Sequence, residues 1–131
     1  MINKNIEETQ VYFSSEVLKL VKKLLSGYKL RPRMIMISDK AIYDMSGKTN
    51  NPKIEKRIEI SNIQSVILRY RKMNLLIFSP FTDGFIVLRF PDSDMLFFCE
   101  YKTEFISVLC ELYNKITQKT LNITFSEKYV L

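Results

Sequence analysis

The chain has 131 residues, 20 of them Lys or Arg against 14 Asp or Glu, for a net charge of +6. A chain of this length makes one domain and buries roughly two-thirds of its unfolded surface, so it needs no disulfide or metal to fold. It contains no His and no Trp, which removes the usual near-neutral proton shuttle and the commonest metal ligand.

Residues 1–10 read as a polar N-terminal extension, and residues 11–131 as the domain. Residues 11–25 carry two patterns. Val17, Leu20, Val21, Leu24 and Leu25 fall at i, i+3, i+4, i+7 and i+8, a helical stripe that Ser15 would cap and Gly27 would end. Strand alternation fits the same residues, and the periodicity alone favours the helix. Lys19, Lys22, Lys23, Lys29, Arg31 and Arg33 then crowd into fifteen residues, and no acid interrupts from Val17 to Ser38. These six cations equal the charge excess of the whole chain. Gly27 and Pro32 mark a turn or loop among them.

The signals that follow are β. Met34–Ser38 and Ala41–Met45 flank a turn at Asp39-Lys40, and Ser46–Pro52 reads as a polar loop. Arg57–Ile60 and Ile63–Leu68 are short strand-like runs. Leu75–Phe78 and Phe85–Phe90 flank a hairpin connection at Ser79–Gly84, and Pro91–Asp94 turns into Met95–Cys99. Phe105, Ile106, Leu109, Leu112, Tyr113 and Ile116 then repeat at helical spacing, which predicts a helix over 103–118. Asn122–Val130 returns to strand-like alternation. The expected class is mainly β with one α-helix. About seven strands and then one helix is the order of a pleckstrin-homology-like barrel, with the helix plugging one end and loops ringing the other.

Catalysis finds little support. Cys99 and Cys110 have no His partner and read as buried free thiols of a reducing cytosol. Asp92, Asp94 and Glu100 read as exposed loop acids, and Asp39, Asp44 and Asp83 as turn residues. Three glycines make no phosphate-cradling loop. No catalytic residue, cofactor or metal is expected. The cationic segment suits a polyanion. Arg offers a planar fork to phosphate and Lys a point charge. Arg31 and Arg33, one residue apart, share a strand face, with Lys22 opposing them across the ladder. Lys19, Lys23 and Lys29 add to the field. Leu24 reads as core, whereas Tyr28 and Leu30 are apolar candidates for a membrane interface. Arg69, Arg71 and Lys72 form a second basic cluster, either a long hairpin tip or an auxiliary membrane contact. No apolar run approaches the roughly 20 residues of a membrane span, so membrane contact is expected to be peripheral. The alternative is a basic barrel binding nucleic acid by stacking, or an acidic peptide at an open strand edge.

Several blocks in register resemble the tail homology one domain of class I myosins. They are Val17-Leu18-Lys19, Gly27–Ser38, Asp39–Tyr43, Lys56–Ile63, Ser79–Leu88, Lys102–Phe105 and Ile123–Ser126. The resemblance implies a pleckstrin-homology-like fold with residues 17–25 mostly in the first strand. It also implies binding of phosphoinositides at a basic residue late in strand one and a basic-x-Arg at the start of strand two. Lys22 and Arg31-Pro32-Arg33 supply that pattern. The loop between these strands is about three residues longer than the family's, and an insertion falls near Ile67–Ile77. The implied role is that of a monomeric cytoplasmic module attaching a myosin-like or cytoskeletal protein to plasma or endosomal membrane, with actin-cytoskeleton proteins as further partners. Nucleic acid is not expected.

Overall fold

The computed structural model describes residues 10–48, 50–69 and 84–126. The elements run β1 (Val11–Lys22), β2 (Tyr28–Ser38), β3 (Ala41–Lys48), β4 (Asn51–Glu59), a 3-10 turn (Ile60–Asn62), β5 (Ser65–Arg69), β6 (Phe85–Arg89), β7 (Asp94–Phe98), α1 (Lys102–Thr117) and β8 (Ile123–Ser126). They form one eight-stranded sheet in the order β4-β3-β2-β1-β7-β6-β5-β8. All pairings are antiparallel except β5 with β8. The end strands β4 and β8 are not neighbours, so the sheet stays open. This is the pleckstrin-homology-like arrangement of a β-sheet with a C-terminal helix.

β1 is a strand despite the helical spacing of its leucines and valines. It pairs with β2 along its length, from Val11 opposite Ser38 to Lys22 opposite Tyr28. Leu18 and Lys19 also pair with Phe98 and Phe97 of β7. Two ladders and one buried face override a local periodicity that fits either state. The loop expected at Ser46–Pro52 is mostly strand. β3 continues to Lys48 and β4 begins at Asn51, with Gly47 opposite Pro52. An edge strand accepts polar residues and a proline, because one side of its backbone has no ladder to complete. Ile60, expected to end a strand, instead opens the 3-10 turn.

Alternate residues point into the core: Phe13 and Val17 from β1, Ile35 and Ile37 from β2, Ile42 from β3 and Ile58 from β4. α1 buries Phe105, Leu109 and Leu112 against them. Phe105 meets Phe13 and Phe97 edge-on, with ring centroids 5.5 and 5.3 Å away. The helix carries Glu104 in its first turn and Lys115 in its last, each opposing the local end of the helix dipole. Gln118 closes it in the left-handed conformation, its N–H donating to the Asn114 carbonyl at 2.8 Å. Gly84 is required by close approach: a Cβ there would lie 2.4 Å from the Cys99 carbonyl oxygen. The N-terminal extension through residue 9, the run Leu75–Phe78, most of the Ser79–Gly84 connection, Asp83 and the segment past Ser126 lie outside the described residues.

Candidate functional site

The β1–β2 tip is set by where the ladder stops. Lys22 and Tyr28 are the last pair. The Lys23 N–H donates to the Gly27 carbonyl at 2.9 Å, and Gly27 takes a φ of +78° that suits glycine. Leu24 and Leu25 therefore lie beyond the sheet, 101% and 96% exposed. This corrects the reading of Leu24 as a core residue, since it lies past the last β1–β2 pair and none of the described strands or helices covers it. Tyr28 and Leu30 are exposed at the base of the same loop. Lys22, Lys23 and Arg31 are exposed and Lys29 half-buried, so the two leucines stand at the end of a hairpin rich in cations. Two adjacent leucines left fully in water are a costly arrangement for a free surface.

Below the tip, strand parity sorts the cations. Val17 pairs with Arg33 and Lys19 with Arg31. Val17 faces the core, so Lys19, Arg31 and Arg33 continue that inner face toward the end of the sheet away from Phe13 and α1. Lys22 is three residues from Lys19 on an unbroken register, which places it on the other face, opposite Tyr28. The structure therefore groups Lys19 with Arg31 and Arg33, and sets Lys22 with Lys23 on the rim. Strand parity is why the lysine nearest the loop is not the one beside the arginines.

Asp44 completes this inner group. It lies within β3 opposite Ile35, fully buried, and is not the turn residue expected from sequence. The Lys19 ammonium donates to Asp44 Oδ2 at 2.5 Å. Arg33 Nη1 donates to both carboxylate oxygens, at 3.2 and 3.1 Å. Both cationic side chains are themselves mostly buried, at 17% and 15% exposure. Lys56, the cross-strand neighbour of Asp44, turns instead to Ser93 and the Phe90 ring. A register shift after Asp44 leaves Glu55 as an extra residue in β4. The Ser46 hydroxyl donates to its carboxylate, and this bond, with the Lys53 and Arg33 charges, holds the Glu55 carboxyl below its usual range. Asp44 thus pairs with both Lys19 and Arg33, whereas among the described residues Arg31, Lys22, Lys23 and Lys29 have no ion-pair partner.

Other candidates are placed as follows. The side chain of Arg69, and Arg71 and Lys72 entirely, lie outside the described residues. Cys99 is buried and Cys110 only partly so; both are free, and burial pushes both thiols above their ordinary range. Tyr28 is the aromatic beside the basic loop, while Tyr43, Phe97 and Phe105 are fully buried. The edge of β5 is already occupied by β8. A hollow of about 680 Å³ on the outer face is lined largely by Leu18, Met34, Met36, Met45, Pro52 and Phe98.

The model of a family described as "unconventional myosin tail, actin- and lipid-binding" matches residues 1–130. Myosin-1 of Laccaria bicolor is 31% identical over 124 residues, which span 91% of this chain and 8% of that myosin. Among solved structures, the hSac2 domain of the human phosphoinositide phosphatase Sac2 superposes with a TM-score of 0.61 at 10% identity, covering 93% of this chain and 82% of that one. The Slm1 pleckstrin-homology domain in complex with phosphoserine superposes with a TM-score of 0.55 at 14% identity, covering 82% and 98%. At such identities the structural likenesses establish the fold, and the family match establishes descent.

Proposed function

This chain belongs to the unconventional myosin tail family, and from that premise we propose that it is a non-catalytic module attaching a myosin-like or cytoskeletal protein to anionic membrane through its β1–β2 loop. One observation carries the reading: Leu24 and Leu25 are wholly exposed at the tip of a hairpin that also bears Lys22, Lys23, Lys29 and Arg31. Leucine burial in the acyl boundary and attraction of cations to acidic headgroups act at the same place. Each Lys or Arg near such a surface contributes about 1 kcal/mol. Each leucine fully withdrawn from water contributes roughly 1.5–3 kcal/mol. Phosphoinositides are the proposed preferred lipids mole for mole, because each headgroup carries several charges. Lys19, Arg31 and Arg33 line the inner face next to the tip, and Tyr28 and Leu30 widen its apolar base. The proposed setting is peripheral, on the cytoplasmic face of plasma or endosomal membrane, with the module acting as a monomer.

The test compares polyanions. Vesicles of phosphatidylcholine alone, vesicles with rising phosphatidylserine or phosphoinositide, and a single-stranded oligonucleotide are titrated at two salt concentrations. Binding should rise with acidic lipid and be nearly absent on phosphatidylcholine. The oligonucleotide has only the charge term and should lose most of its affinity between 50 and about 200 mM salt, while vesicle binding keeps its apolar share. An oligonucleotide held as tightly as acidic vesicles at the higher salt would favour nucleic acid and overturn the membrane reading.

A further inference from the structure

We propose that Asp44 fills, from within the fold, the seat a phosphate would take between Lys19 and Arg33, so that this chain is selected by membrane charge and not by headgroup chelation at that seat. The inference rests on the membrane reading above for its biological meaning, but its geometry stands apart from it. A phosphate between an ammonium and a guanidinium would accept from the Lys19 Nζ and from the Arg33 fork. Asp44 already does both, at 2.5 Å from Lys19 and 3.1 and 3.2 Å from Arg33. Its carboxylate is fully buried while the two cations are mostly so. An incoming phosphate would have to break these bonds and leave a buried carboxylate facing a second anion, which is strongly disfavoured.

The cations left for lipid are then Arg31 on the inner face and Lys22, Lys23 and Lys29 around the tip. Such a set answers to charge density. At equal total charge, phosphoinositide and phosphatidylserine vesicles should bind within about threefold of each other, since the field term counts charges and not their geometry.

Two measurements test the seat itself with a soluble probe, inositol 1,4,5-trisphosphate, and need no membrane. The first follows the arginine side-chain Nε–H signals of the unmodified protein by NMR. The Arg33 signal should hold its position throughout the titration, whether Arg31 moves or neither does. An Arg33 signal that shifts at least as far as that of Arg31 would place the phosphate at the seat and overturn the proposal. The second uses Asp44→Asn, which keeps the shape and removes the charge. Emptied of its anion, the seat should take the probe at least about tenfold more tightly, the effect of one added contact between charged partners, and Arg33 should now shift. A folded D44N protein that binds no tighter would refute the idea, and if D44N does not fold, the NMR result on the unmodified protein decides. Loss of vesicle binding with an unmoved Arg33 would count against the membrane reading alone.

Discussion

Replacing Leu24 and Leu25 together with Ser should lower the partition of the protein onto acidic vesicles by roughly 100-fold, equivalent to about 3 kcal/mol for two leucines withdrawn from water on binding. The two side chains are 101% and 96% exposed and lie beyond the last β1–β2 pair, so they hold nothing together in the free protein. Folding should therefore change by no more than about 0.5 kcal/mol. Replacing Lys22 and Lys23 with Gln removes only the field term there, about 1 kcal/mol per cation. The leucine pair should thus cost more than the lysine pair, and its loss should persist at high salt. Cosedimentation at two ionic strengths separates them. An L24S/L25S protein that binds as the unmodified one would remove the tip from the interface.

The second large effect is on stability. Lys19→Met with Arg33→Met strips both cations from the fully buried Asp44. An uncompensated buried carboxylate costs about 3–5 kcal/mol, which for a domain of this size lowers the unfolding temperature by roughly 10 °C or more. Adding Asp44→Leu should restore most of the loss, because apolar residues of similar volume replace a buried ion cluster at little or no cost. Thermal unfolding of the double and triple variants reads both steps. A double variant as stable as the parent would show that the cluster does not form. The consequence for lipid studies is direct: lost vesicle binding in an Arg33 variant would reflect a damaged end of the sheet as much as a lost headgroup contact, whereas Arg31, exposed and without an ion-pair partner among the described residues, is the cleaner probe.

Much of this was legible in the sequence, and the failures have physical causes. The helix was readable because Phe105, Leu109 and Leu112 keep one period over about two turns; the observed span, Lys102–Thr117, is within a residue of the expected one. The turns at Asp39-Lys40 and Pro91–Asp94 were readable from their residues. β1 was not readable from periodicity, since its partners β2 and β7 are distant in sequence and decide its state through ladders the local pattern does not contain. It became readable through family resemblance. The choice of Lys22 over Lys19 depended on strand phase, and phase is fixed by a ladder register that the local sequence does not contain. Asp44 gave a signal that parity would have caught: in Ala41-Ile42-Tyr43-Asp44-Met45 it shares the inward face with Ile42. An acid inside such an apolar run needs a cation opposite, and Arg33, two residues from the opposing Ile35, supplies one.

The absence of Trp gives the central claim a direct test. Leu25→Trp places a single indole at the tip of a chain that has no other. Its emission should be that of a water-exposed indole in buffer and on phosphatidylcholine vesicles. On acidic vesicles it should shift to the blue and be quenched by lipids brominated near the top of the acyl chain. Binding to acidic vesicles with an unshifted, unquenched indole would contradict insertion of the β1–β2 tip.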